Sequence, residues 1–174
     1  MQPALFERGL TFSQFLAHVT AQRPVWMQNA ARTDIAPDAI ERLKRVRGGL
    51  RILVVAEDWC ADSVHTVPYV ANLAAASGVE LRIVDRTAGD AVMAQHPARD
   101  GRKVTPTIVL FRNDRDVGAW IERPAILQEL FFSMATNPES ARQFAARASW
   151  YEHDRGQTTL DEVIALAEQT ASRR

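Results

Sequence analysis

A short apolar run, Ile52 to Ala56, stops at two acids and a tryptophan, and the chain's single cysteine follows at once in Glu57-Asp58-Trp59-Cys60-Ala61-Asp62-Ser63. The run has the length and β-branched content of a buried strand. Beyond Cys60 the apolar residues fall at Val64, Val67, Tyr69, Val70 and Leu73, nearer to helical spacing than to alternation. Cys60 therefore stands where a central strand hands over to a helix, and the spacing predicts it in that helix's first turn. The free amides and the positive dipole end of a helix N-terminus favour an anion there, and a thiolate is one. The competing reading is an inert core cysteine, because free Cys buries readily.

Two features weigh against the inert reading. Pro68 lies inside the same helix, eight residues past Cys60, where it removes a ladder bond and bends the axis. Downstream, Val104-Thr105-Pro106-Thr107-Ile108-Val109-Leu110-Phe111 sets a Thr-Pro step at the head of a β-rich apolar run. Proline cannot donate to a ladder, so Pro106 belongs at the first residue of that strand. Trp-Cys-x-x-Ser, the helix proline and the Thr-Pro-Thr strand together resemble the thioredoxin superfamily from about Leu50 to Leu130. The chain is similar to bacterial thioredoxin-like proteins with a long helical N-terminal segment and a Trp-Cys-x-Asp signature. The resemblance implies an α/β thioredoxin-like fold, a mixed central sheet with helices on both faces. It also implies a cis peptide at Pro106 packed beside the sulfur of Cys60.

At 174 residues, 47% apolar and 24% charged, the chain is expected to be one globular domain with a full core. The expected organisation is a helical segment over 1–49, a thioredoxin core over 50–135 and C-terminal helices over 136–174. Basic and acidic residues both number 21, so no net charge draws the chain to nucleic acid or to an anionic membrane. No run approaches the roughly 20 apolar residues of a membrane span. The stretch Met1 to Leu10 lacks the pattern of a secretory signal, and a reducing cytoplasm is the expected location. One cysteine excludes a disulfide framework, and the four scattered histidines suggest no metal site.

In order, Thr11-Phe12-Ser13-Gln14 reads as a capping box ahead of Phe12, Phe15, Leu16 and Val19 at helical spacing. A short helix over 25–31 carries Trp26 and Met27, both expected as core anchors. Pro37 opens another helix that stops at Gly48-Gly49. Strands are predicted over 50–56 and 80–85, with helices over 62–76 and 90–95. After the Thr-Pro-Thr strand, Asn113 to Asp116 supplies a hairpin turn before a strand over 117–121. Pro124 starts a helix through Phe131, and Asn137-Pro138-Glu139 starts another reaching about Tyr151. Thr159-Leu160-Asp161-Glu162 reads as a second capping box opening the terminal helix.

The resemblance implies a single-thiol site. A dithiol thioredoxin resolves its mixed disulfide with a second cysteine, and Ser63 holds that position here, on the same helical face as Cys60. Its hydroxyl is expected to donate to the thiolate. An outside thiol such as glutathione would then release a protein or peptide disulfide substrate. Trp59 is expected to cover the sulfur, with Thr105 and Pro106 completing the substrate groove. Three departures from the family pattern bear on this chemistry. Val54 stands where thioredoxins carry a buried acid, and Asp62 replaces a proline. Glu122-Arg123 stands about where a glycine follows the hairpin. Asp62 opposes ionisation of a nearby thiolate. Arg123 either faces the cleft and offsets Asp62 or stands solvated at a helix start. Glu57 and Asp58 read as a solvated strand end. Beside monothiol exchange, two other functions fit the same residues: a non-catalytic interaction module and a redox sensor at Cys60.

Overall fold

The computed structural model describes residues 3–171. Met1 and Gln2 of the stretch read for a signal, and residues 172–174 of the C-terminal segment, lie outside them. Four strands form one sheet in the order β2-β1-β3-β4. β1 (Leu50–Val55) pairs in parallel with β2 (Glu80–Val84) and antiparallel with β3 (Thr107–Arg112). β4 (Arg115–Ile121) closes the far edge against β3. The hairpin turn is tighter than the sequence suggested. Asn113 and Asp114, both at positive φ, make the two-residue connection, and Arg115 and Asp116 already belong to β4.

Alternation along the strands divides the core in two. Ile52, Val54, Ile83, Ile108, Leu110 and Trp120 belong to one apolar cluster, with helices α5 (Ala61–Ser77) and α10 (Gln157–Ala171) packed into it. Leu53, Val55, Val84, Val109 and Phe111 belong to the other, met by Leu5 and Phe6 of α1 (Pro3–Arg8) and Met93 of α6 (Asp90–Gln95). The α/β architecture expected from the resemblance, a mixed sheet with helices on its faces, is the one observed.

The N-terminal segment comprises α1, α2 (Phe12–His18), α3 (Arg23–Ala30) and α4 (Pro37–Val46). Helix α1 and an isolated antiparallel bridge between Leu10 and Ile83 were not anticipated. That bridge pairs one residue of the N-terminal segment with the edge strand β2. The capping box at Thr11 and Gln14 is formed on both sides. Trp26 is fully buried, with its ring edge-on to Phe15 at 5.1 Å, whereas Met27 turns outward and is 37% exposed. Only one of the two expected anchors faces the core, because adjacent helix positions lie 100° apart.

Helix α5 shows how this segment is tied to the core. Pro68 has no N–H, so the carbonyl of Val64 loses its ladder donor. Asn29 of α3, fully buried, donates to that carbonyl from Nδ2 at 2.8 Å. An orphaned buried acceptor costs about 1–3 kcal/mol, and a neighbouring helix removes that cost here. The helix ends at Gly78, whose φ of 69° is the left-handed stop that glycine adopts without strain.

The C-terminal helices differ from expectation at two points. The helix predicted from Pro138 to Tyr151 is broken at Ala146 into α8 (Pro138–Ala145) and α9 (Arg147–Asp154). Helix α10 opens at Gln157 rather than at a Thr159 capping box, and Thr159 is buried within it. The preceding Gly156 lies against the ring of Tyr69: a Cβ there would stand 2.3 Å from it, so helix entry is placed before Thr159 by close backbone approach. Ahead of them, α7 (Ala125–Ser133) is capped by Glu162 of α10, which accepts from the Ala125 amide at 2.9 Å and from the Trp120 indole at 2.6 Å. Among the described residues no helix is long and apolar enough to cross a membrane.

Candidate functional site

Cys60 is the N-cap of α5, one position ahead of the first turn in which it was expected, and its backbone is extended. That geometry turns Sγ back over the open end of the helix. The Ser63 amide donates to Sγ at 3.4 Å, while the Cys60 thiol itself donates to the Thr105 carbonyl at 3.1 Å. The sulfur thus has one donor that serves it as a thiolate and one acceptor that serves it as a thiol. The Thr105–Pro106 peptide bond is cis, and both residues are buried. Pro106 precedes the first ladder residue of β3, Thr107, whose hydroxyl donates to Val104 O at 2.8 Å. The end of β4 is held to the same loop by the Glu122 amide, which donates to Pro106 O at 2.8 Å.

Cys60, Ser63, Thr105 and Pro106 are therefore brought together, but Ser63 acts otherwise than expected. It reaches Cys60 through its backbone, and its buried hydroxyl has no hydrogen-bond partner. In the first turn the amides point toward the N-cap while side chains fan outward, which is why the N–H and not Oγ meets the sulfur. Cys60 is 9% exposed and Trp59 beside it 57% exposed. Val54 is wholly buried among apolar neighbours, so no acid stands at that strand position.

The loop before Cys60 is not a solvated strand end. Asp58 Oδ2 accepts from the Thr20 and Ala21 amides at 2.8 and 2.9 Å, and from the Thr20 hydroxyl. The indole of Trp26 donates to Asp58 O at 2.8 Å and Gln22 Nε2 to Trp59 O at 2.8 Å. Glu57 accepts from the Arg86 amide at 2.9 Å. Partial burial pushes the Asp58 carboxyl up, but the Thr20 and Ala21 hydrogen bonds outweigh it and hold the group below its ordinary value. Both acids are fasteners, and the tertiary partners that make them so lie 29 to 38 residues away in sequence.

Arg123 faces inward, so the solvated alternative fails. It is 6% exposed and reaches Asp62 Oδ2 from Nε at 3.2 Å and from Nη2 at 2.8 Å, with Glu122 Oε1 2.7 Å from the same Nη2. The Phe131 and Phe144 rings lie 4.8 and 5.1 Å from its guanidinium carbon. Glu122 holds a positive φ of 65° at the position where a glycine was expected, and Arg102 adds a second cation at 3.3 Å. Burial raises the Glu122 carboxyl above its usual range, against the pull of Arg123 and Arg102. Sequence reading missed one member of the cluster. Tyr151 of α9 donates from its phenol to Asp62 Oδ1 at 2.8 Å across 89 residues of sequence, a partnership no local pattern announces. Burial above all, and then the Asp62 charge, push that phenol well above its ordinary value. His65 stacks on the Tyr151 ring at 4.8 Å and 7°.

The sequence matches a thioredoxin family over residues 9–142. The chain belongs to that family. Among solved structures, a protein of unknown function from Pseudomonas aeruginosa superposes with a TM-score of 0.76 at 21% identity, covering 97% of each chain. An HIV epitope scaffold superposes with a TM-score of 0.75 at 18% identity, covering 97% of this chain and 98% of its own. Both likenesses speak to the thioredoxin-type fold, including the regions outside its core. No curated protein matches the sequence.

Proposed function

We propose that this thioredoxin-family chain carries out monothiol thiol–disulfide exchange through Cys60, acting on protein disulfides or glutathionylated proteins. The observation that supports it is the sulfur at the N-cap of α5, receiving the Ser63 amide and set against the Thr105–Pro106 step. The Cys60 thiolate attacks the glutathione sulfur of a mixed disulfide. The protein thiolate leaves and takes a proton from solvent, and Cys60 is left joined to glutathione. A second glutathione thiolate attacks that bond, forms oxidised glutathione and frees Cys60 as thiolate. Ser63 forms no disulfide, so the outside thiol is the resolving group. Trp59 and Thr105 would line the groove for the substrate, and Asp62 with Arg123 would modulate the sulfur's charge. A reducing, glutathione-containing cytoplasm suits this cycle.

A second reading has its own support. The thiol donates to the Thr105 carbonyl, the group an extended peptide would use, and Val54 supplies no acid for proton transfer. The same groove would then be a non-catalytic interaction module or a redox sensor. Mass spectrometry of Cys60–glutathione formation and its release by added thiol separates these. The exchange reading expects both steps to run faster in the folded chain than in a peptide of residues 57–66, and to vanish in Cys60→Ser. Equal rates in chain and peptide would overturn it.

A further inference from the structure

The polar cluster beside Cys60 has an unusual member for a helix N-terminus. An acid in the first turn ordinarily folds its carboxylate back onto the open amides of that turn, where the dipole favours it. Asp62 does not. Its Oδ2 is taken by two nitrogens of Arg123 and its Oδ1 by the Tyr151 phenol, while the Ser63 amide is left on the sulfur. We infer that Arg123 and Tyr151 are positioning residues for Cys60: by occupying both oxygens of Asp62 they keep that acid from the first-turn amides and compensate its charge beside the sulfur.

Each is built for the task by its own surroundings. The Phe131 and Phe144 rings flank the Arg123 guanidinium, and Gln128 Nε2 donates to its backbone carbonyl at 2.9 Å, so both the main chain and the charged head of this residue are held. Tyr151 keeps its proton and thus remains a donor, and stacking on His65 sets the plane of its ring. A carboxylate is a far stronger acceptor than sulfur. Released from these two donors, Asp62 would compete for the Ser63 amide or stand as an unpaired charge near Cys60, and either change slows chemistry at a thiolate. Among the described residues the other charges facing this corner are Glu122 and Arg102 beside Arg123, and Arg147 and Glu152 on α9 together with Arg32, which act on His65. The inference takes its functional meaning from the proposed exchange reaction, but it concerns the sulfur itself.

The test is the rate at which iodoacetamide modifies Cys60 in the full chain, followed across pH. Arg123→Met is expected to slow modification at neutral pH about tenfold, as an uncompensated neighbouring acid would, and Tyr151→Phe about threefold, as a carboxylate with one oxygen released to the first turn would. Adding Asp62→Asn to either variant is expected to restore the rate to within about twofold of the unmodified chain. Slowing without that rescue, or no slowing at all, would overturn the inference, since a merely structural loss is not repaired by neutralising Asp62. Should Arg123→Met fail to fold, the Tyr151 pair carries the same test, because losing one hydroxyl leaves the Arg123–Asp62 ion pair in place. Coupling that persists in a chain without glutathione exchange would remove the proposed function alone. Exchange without coupling would remove this inference alone.

Discussion

The N-terminal and C-terminal segments both hold the Cys60 corner, by opposite means. The first grips the loop ahead of the sulfur through its backbone: Trp26 and Gln22 donate to the carbonyls of Asp58 and Trp59, and Asp58 returns its carboxylate to the amides of Thr20 and Ala21. Its anchor, Trp26, is fully buried in the main cluster. The second reaches the helix just beyond the sulfur through side chains alone, Tyr151 and the Phe144 ring against Arg123, and α8 is largely exposed. Backbone clamping resists sequence change at the loop. A side-chain cluster sets a charge and can be retuned by single substitutions.

The largest expected effect falls on the clamp. Trp26→Ala should cost about 3–5 kcal/mol in urea unfolding, because it opens a cavity and strands the Asp58 carbonyl. Phe144→Ala, on the half-buried C-terminal counterpart, should cost about 1–2 kcal/mol. Equal losses would mean that both segments are built into the core alike. Asp58→Ala comes next, at about 1–3 kcal/mol at neutral pH, since it leaves two amides without their charged acceptor. Asp58 titrates below its unfolded value of 3.8, so its stabilisation is present above that pH and is lost as pH falls through the folded value. Wild type and variant should therefore converge in acid. The smallest effect falls where α5 meets the C-terminal side, at His65 stacked on Tyr151. Burial holds His65 below 6.5, against the opposing charges of Glu152 and Asp62. As pH falls from 6.5 the unfolded chain takes a proton before the folded one does, so stability declines through that window. His65→Phe should flatten this slope in thermal unfolding between pH 7 and 5, and an unchanged slope would assign it to another group.

The core was legible because its signals are local. Apolar runs at 52–56 and 107–111, the Cys60 hand-over and the Asn113-Asp114 turn each carry their own periodicity or turn chemistry. What stayed hidden depends on partners distant in sequence. Nothing near Asp58 signals that Thr20 will meet it, and nothing near Tyr151 points to Asp62. The Thr159 motif misled because a capping box is a local preference, and with Gly156 packed on Tyr69 the helix starts three residues earlier. Ser63 was assigned the right neighbour and the wrong atom, because helix spacing locates a side chain but does not rank it against its own amide.

The proline in α5 also sets a limit on dissection. Cutting the chain at Leu50 would leave every strand and the whole of α5 in place, yet it would remove Asn29, so the Val64 carbonyl would lose its donor and the face of α5 that α3 covers would open to water. Residues 11–49 are thus not an appendage to a self-sufficient unit: they complete a helix that belongs to another part of the chain.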